Sequence, residues 1–311
     1  MVSGIFSCGN PDDNSGLVAV PPRDLSEVIV EDDAEILAFL QSHFYNYEEF
    51  QNPTADFDYR IKFDTIAGEN SDKISIFDSG SLAGVEFGME TISVSSVELL
   101  SASDEVVDHT LYYLVARQGV SETAPTIGDN TNVRYEGSLL TGEVFDSSVE
   151  QPIQFNLSRV VRGFGNGLEY FKSGTGPIEN GDGTFNYEDY GVGAIFMPSG
   201  LAYFSTPENN IIPLYAPLVF KVELFSFEKD SDFDGDGIPS FMEDLDMDGN
   251  LNNDNTDDED EVNTFSPNYA DTDDDNDGIL TIDEINLNDD GSFLSYRDTD
   301  GDGIYDHLDD N

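Results

Sequence analysis

The chain has 311 residues and a formal net charge of −53, so it is long enough for more than one core. That charge excludes nucleic acid as a partner, because phosphate recognition needs a basic face. An aromatic share of 12%, all Phe and Tyr, excludes a chain disordered throughout, so folded cores are expected. The acid is concentrated: residues 229–311 hold 29 of the 65 acids and only two bases, Lys229 and Arg297. A boundary is therefore expected after Glu228. No run of about 18 apolar residues is present to span a bilayer as a helix. The single cysteine, Cys8, leaves no intrachain disulfide.

Residues 1–24 read as a terminal segment and linker rich in Pro, Asp, Asn and Gly. Within them, Ile5-Phe6-Ser7-Cys8 resembles the end of a bacterial lipoprotein signal, in which the cysteine becomes the lipidated first residue. Seven residues precede Cys8, too few for the full apolar stretch of such a signal. The resemblance implies lipidation at Cys8 and a membrane anchor that does not span the bilayer.

Residues 25–125 read as a small α+β accessory region. A helical face, Ile36, Leu37, Leu40 and Phe44, begins after a cap expected at Asp32 or Asp33. Strict alternation over Phe57–Phe63 predicts a half-buried strand, and Leu111–Ala116 predicts another. Residues 67–105 give no clear assignment. His43 and His109 stand outside any ligand cluster, and no catalytic constellation is present in this region.

Residues 126–228 alternate strand-like runs with turn chemistry. Asn132–Glu136 alternates, Leu140-Thr-Gly-Glu143 turns, and Val160–Lys172 carries a short helical face with Gly174 as its stop. Gly193–Pro198 and Leu218–Leu224 read as strands, the second with Leu218, Phe220, Val222 and Leu224 on one face. Five motifs then fall in order. They are Val133-Arg-Tyr-Glu-Gly137; Gly142-Glu-Val-Phe-Asp-Ser-Ser148; Val160-Val-Arg-Gly-Phe164; Pro198-Ser-Gly-Leu-Ala-Tyr203; and Ile211-Ile-Pro213 with Ala216–Leu224. Together they resemble the FKBP family of peptidyl-prolyl isomerases. The resemblance implies a curved antiparallel sheet around one short helix. It also implies a proline pocket at Tyr135, Phe145, Asp146, Phe155, Val160, Val161, Phe164, Tyr203, Ile211, Ile212 and Phe220. In that reading Phe164 floors the pocket, Tyr203 offers a hydroxyl, Val161 a backbone N–H, and Asp146 is the one charged neighbour. Without the resemblance, such an aromatic set on alternating strands would be read as a core. Two positions depart from the family: its floor is usually Trp, and a Gly usually stands where Phe204 does. Extra residues between Gly174 and Gly191 are expected to enlarge a loop or bulge.

Residues 229–311 repeat a calcium-loop spacing, in which alternate carboxylates around a glycine turn converge on one point. Asp232, Asp234, Asp236 and Glu243 fit it, as do Asp273, Asp275, Asp277 and Glu284. Asp298, Asp300, Asp302 and Asp309 form a third set, and Asp244, Asp246 and Asp248 a fourth that runs to Asn255. Oxygen-only ligands disfavour zinc and copper. The first set ends where the fourth begins, which leaves no room for EF-hand helices. The arrangement is similar to thrombospondin type 3 repeats, which implies structural Ca2+.

The whole is expected to be an α+β, FKBP-like protein in the cell envelope, lipid-anchored on the periplasmic or outer face of a membrane, and monomeric. Its partners would be proline-containing polypeptides, with no cofactor for catalysis. Two alternatives stay open: a non-catalytic proline-segment-binding chaperone, and a calcium-dependent cell-surface interaction protein.

Overall fold

The computed structural model describes residues 22–101, 103–257 and 266–310; Cys8 and most of the linker lie outside them. Helix α1 (Leu25–Ser42) buries Leu25, Val28, Ile29, Ile36, Phe39 and Leu40, the three-and-four spacing of one helical face. It starts a full two turns before the expected cap. Asp32 sits on its buried face, and Asp24 holds the N-cap position. Strand β1 (His43–Tyr45), the short α2 (Tyr47–Gln51) and β2 (Phe63–Thr65) follow, β1 pairing with β2.

The strand expected at Phe57–Phe63 is an extended segment with no partner strand until Phe63. Tyr59 has φ 57°, a left-handed backbone that breaks a ladder. The alternation instead seats rings: Phe57 and Tyr59 both pack on Phe50, and the Arg117 guanidinium lies 3.8 Å over Tyr59. Ile61 is buried beneath.

The main sheet has six strands, all antiparallel. They are β3 (Glu86–Ser95), β4 (Val106–Arg117), β5 (Asn130–Leu139), β6 (Val144–Asn156), β9 (Gly191–Met197) and β10 (Leu218–Glu228), in the order β3-β4-β9-β10-β5-β6. A small hairpin, β7 (Thr175–Glu179) and β8 (Phe185–Glu188), occupies the extra residues before Gly191.

The period-2 rule assigns each side chain to a face. Leu111, Tyr113 and Val115 of β4, Ile195 and Met197 of β9, and Phe220 and Val222 of β10 enter one core, with helix α3 (Arg162–Leu168). Tyr112, Leu114, Ala116, Val192, Ala194, Phe196 and Val219 enter a second core, with Ile36, Phe39, Leu40 and Tyr45. Strand β9 is therefore buried on both faces, which is why it reads as an unbroken apolar run.

This sheet crosses the boundary expected between 125 and 126. Strand β4, from the supposed accessory region, pairs directly with β9. Residues 25–125 supply two strands and the second layer, so they complete the sheet and do not form a separate body beside it.

Among its described residues, the acidic segment from Lys229 has only short turns and 3-10 helices, a four-residue helix α4 (Thr281–Glu284) and a small hairpin, β11 (Asn286–Leu287) with β12 (Phe293–Ser295). Its buried apolar residues are few: Ile238, Leu251, Tyr269 and Ile285. It docks on the sheet unit by placing Leu251 and Tyr269 in the first core and through polar contacts. Ser231 N–H donates to Asp129 Oδ1 at 3.1 Å, and Asn166 Nδ2 donates to Gly249 O at 3.1 Å. Arg162 Nη2 reaches both Asp248 O at 2.8 Å and Asp248 Oδ2 at 3.1 Å.

Candidate functional sites: an aromatic cradle and acidic loops

The first site forms between β5, β6, α3 and β10. Phe164, from the first turn of α3, is 2% exposed and meets Phe220 edge-on at 5.1 Å between centroids, with Phe155 at 6.0 Å and Tyr135 at 6.1 Å. Phe145 stands edge-on to Phe220 at 5.6 Å. Such edge-to-face pairs suit the ring quadrupoles and fix the rings relative to one another. Gly137 makes this possible. A Cβ there would lie 2.7 Å from Phe145 Cζ and 2.9 Å from Phe220 Cε1, so only glycine lets both rings cross the β5 backbone.

The polar rim is equally specific. The Tyr135 hydroxyl donates to Asp146 Oδ2 in a short bond. Burial, then that carboxylate, hold the phenol well above its ordinary pKa, so it remains a donor at physiological pH. Burial pushes Tyr203 up to about 12, helped by the charges of Glu208 and Asp146. Val160, Val161, Tyr203 and Ile212 pack on the same core, while Ile211 stands at the rim, 39% exposed. Of the eleven residues expected at the pocket, Tyr135, Phe145, Phe155, Phe164 and Phe220 thus form one ring cluster, with Asp146 bonded to it.

Phe204 keeps a backbone that glycine would adopt freely. Its φ is 45°, which costs a non-glycine residue about 1–2 kcal/mol. Its ring is 3% exposed and packs edge-on against Tyr215 at 4.9 Å, and Tyr215 N–H donates to Phe204 O at 2.8 Å. Ring burial offsets the strain and ties the 204–215 loop at its base. The preceding turn is anchored from below: Ser199 N–H and Oγ each donate to Asp32 Oδ2 at 2.7 Å. Burial lifts the Asp32 carboxyl to about 6. Sequence reading missed this link, because an acid on a helix face gives no sign of what it meets 167 residues away.

A cavity of about 330 Å3 lies on the opposite face of the sheet, lined by Arg60, Lys62, Arg134 and Lys221 among others. Each of its bases has an acid partner: Arg134 has Glu223, Lys221 has Glu136, Arg60 has Asp58 and Lys62 has Glu49.

The second kind of site is acidic. Oxygens of Asp232, Asp234 and Asp236 lie within 4.8 Å of one another, and those of Asp273, Asp275 and Asp277 and of Asp298, Asp300 and Asp302 do likewise. The glycine turns behave as the spacing requires: Gly235, Gly237, Gly278 and Gly303 all have positive φ. In the fourth loop the third member is Asp254, grouped with Asp244 and Asp246. Asp248 instead turns one oxygen to Arg162, so a nearby cation diverts it from the cluster.

The test of whether a cation fits is in the buried oxygens. Glu243 is 3% exposed and neither carboxylate oxygen has a hydrogen-bond partner. Asp234 Oδ2, Asp236 Oδ2, Asp273 Oδ1, Asp275 Oδ2 and Glu284 Oε2 are orphaned in the same way. Burial, then neighbouring carboxylates, push Glu243 up to about 11 and Asp234 to about 8. Buried like charges at this density need protons or a cation, and an all-oxygen donor set fits a hard divalent ion. The third loop is different, with Asp298, Asp300 and Asp302 all exposed.

Comparison with known proteins bears on the region of the first site. Residues 121–177, which span β5, β6 and α3, match the family model for FKBP-type peptidyl-prolyl cis-trans isomerase. The chain is 33% identical over 121 residues to "Peptidyl-prolyl cis-trans isomerase Mip" of Coxiella burnetii, covering 38% of this chain and 45% of that one. It is 36% identical over 116 residues to "Probable FKBP-type peptidyl-prolyl cis-trans isomerase FkpA" of Neisseria meningitidis, covering 37% of this chain and 36% of that one. Among solved structures, FkpA from Escherichia coli is 28% identical, covering 48% of this chain and 54% of that one, with a TM-score of 0.31. The chain thus spans about half or less of these relatives. Within those limits the motifs, the family match and the curated relatives agree in likening this region to an FKBP-type peptidyl-prolyl isomerase domain.

Proposed function

We propose that this protein accelerates cis/trans isomerisation of X-Pro bonds in polypeptides outside the cytoplasm. The observation that carries the reading is the ring cluster of Phe145, Phe164 and Phe220 beside the Tyr135–Asp146 pair. Rotation about an X-Pro bond breaks amide resonance but makes no covalent bond, so neither a nucleophile nor a metal is required. Phe164, buried beneath the other rings, is the floor of the cradle that takes the proline ring. The half-buried Phe145 and Phe155 flank it and exclude water from the amide. A twisted carbonyl is less conjugated and depends less on water, so a dry cradle favours it over either planar form. Tyr203 and the Val161 N–H offer donors to substrate carbonyls. Asp146 holds the Tyr135 hydroxyl in one orientation and so shapes the rim.

The test is an exchange measurement on a proline peptide with intact protein and with Phe145→Ala and Tyr203→Ala. Acceleration by the intact chain, reduced at least about tenfold in Phe145→Ala, is the expected result, as general loss of a desolvating contact implies. No acceleration by the intact chain would leave a second reading, a non-catalytic module that binds proline segments. The smaller floor at Phe164 and the strained Phe204 favour that second reading.

The same proposal places the protein in the cell envelope, held by lipid at Cys8, with calcium in the acidic loops. Cys8→Ser should release the protein from membranes, measured by fractionation after lipid labelling. Orphaned buried oxygens around Glu243 and Glu284 support the calcium part. When bound, the ion would supply the positive charge that those oxygens lack. A calcium-dependent surface interaction role for the acidic segment rests on the same oxygens.

A further inference from the structure

Asp274 is a buried acid that none of the four loop patterns uses. Asp274 falls between Asp273 and Asp275, both in the second loop, yet it is not grouped with them. Its oxygen lies within 4.8 Å of Asp236 and Glu243, both in the first loop. Consecutive side chains of the same segment therefore feed different clusters. The three grouped residues are 2%, 3% and 2% exposed for Asp236, Glu243 and Asp274. Both oxygens of Asp274 and both of Glu243 lack a hydrogen-bond partner, as does Asp236 Oδ2. The two bases of the acidic segment are engaged elsewhere, Lys229 with Asp230 and Arg297 with Asp306 and the Asp283 and Ile285 carbonyls.

Three carboxylates with five orphaned oxygens repel one another in a dry interior whenever they are ionised. An uncompensated buried charge costs several kcal/mol at each position, of the order of the whole stability of a small domain. Their convergence from two segments, 31 or more positions apart in sequence, needs something between them that attracts all three. A divalent cation with six to eight oxygen ligands meets that need.

We propose that Asp274 is a ligand of the first loop's cation, so that one ion held with Asp234, Asp236 and Glu243 clips the 232–243 segment to the 271–284 segment. This rests on the calcium reading above and deepens it. The ion closes a loop of about 40 residues between the two segments, and closing a long loop by a clip is how a metal stabilises a region with little apolar core. Neighbouring residues are placed for such a role. Ser240 N–H donates to Ser231 O at 2.9 Å, and Thr281 N–H donates to Thr272 O at 3.0 Å. Each segment is thus locally folded, and the carboxylates meet beside an apolar contact in which Ile282, Ile285 and Leu287 pack at Gly237.

The experiment uses the full chain, stripped with chelator and titrated with calcium by calorimetry, as wild type and as Asp274→Asn. The expected result is loss of one binding event, or a weakening of at least about tenfold, since removing a charged ligand from a multidentate site does at least that. Hydrogen exchange at saturating calcium should show lower protection in both 240–243 and 281–284. Thermal melts separate a ligand from a structural residue. In calcium, Asp274→Asn should melt below wild type; in chelator it should melt at or above wild type, because one unpaired buried charge is gone. Equal affinity and stoichiometry in the two proteins would overturn the proposal and leave the calcium reading intact. No calcium binding by wild type would overturn both. Equal destabilisation of the variant in calcium and in chelator would show a merely structural aspartate and also overturn it.

Discussion

The aromatic cradle and the acidic loops handle buried polarity in opposite ways. At the cradle the one acid, Asp146, stays exposed and is satisfied by Tyr135, while the interior is filled by rings. In the loops, acids such as Glu243 and Asp236 are buried with orphaned oxygens, and apolar residues are sparse. The first region is held by apolar burial, worth about 25 cal/mol per Å2, and does not depend on a bound ion. The second has a fold whose stability is set by what binds to it. One chain therefore carries a unit with intrinsic stability and a unit with conditional stability, joined at Asp129, Arg162 and Asn166.

The strongest way to break this contrast is to remove calcium. In chelator, residues 229–310 should become cleavable by protease while the six-stranded sheet survives, read by mass spectrometry of the fragments. Equal resistance of the acidic segment with and without calcium would end the distinction. The next largest effect belongs to the cradle. Phe164→Ala empties a fully buried site and should cost about 3–5 kcal/mol in denaturant unfolding, with activity lost. Phe145→Ala, half-buried, should cost far less stability for a similar loss of activity. If the two variants lost stability equally, Phe145 would be core and not cradle.

The contrast also explains what could be read in advance. Strands β4, β9 and β10 carry apolar side chains at period two or in unbroken runs, because the sheet is covered on one or both faces, and periodicity reports burial. Strand β3 lies at the sheet edge and alternates poorly, Glu86-Phe-Gly-Met-Glu-Thr, so it gave no pattern. Gly88 is there to admit the Tyr113 ring, a contact invisible from either residue alone. Missing β3 made residues 25–125 look like a separate unit. Phe57–Phe63 failed in the other direction, since alternation marks a half-buried extended segment and cannot supply its hydrogen-bond partner. In the loops, local spacing located the ligands that one turn brings together. It could not locate Asp254 or Asp274, whose places depend on how the turns pack.

A smaller effect tests whether an acid in the apolar unit behaves differently from those in the loops. Asp32 has a carboxyl near 6, raised chiefly by burial, against an ordinary value of about 4. The folded state therefore holds this proton more tightly than the unfolded state. Its stabilising contribution is complete below about pH 4 and declines as pH rises to about 6, by up to about 3 kcal/mol. Asp32→Asn keeps an acceptor for Ser199 and removes the titration. In calcium, which quiets the loops, the difference between wild-type and variant stability should change across pH 4–6 and be flat above it. Parallel profiles would mean that Ser199 already satisfies the charge.

The smallest effect addresses the joint between the regions. The Arg162 side chain is 11% exposed and is shared by Glu98 and Asp248. It lies one residue after Val161, at the mouth of the cradle, and two before Phe164, its floor. Its ion pairs fall between the surface and buried cases, so Arg162→Met should cost about 2 kcal/mol. Hydrogen exchange should rise in residues 244–252 as the docking loosens, with calcium affinity at Glu243 unchanged. The informative measurement is isomerisation rate with and without chelator. Should chelation slow wild type and leave Arg162→Met unaffected, the loop around Asp248 sets the position of α3, and calcium acts on the cradle through one guanidinium. Should chelation leave both rates unchanged, the contact is docking alone, and the conditional unit has no hold on the intrinsic one.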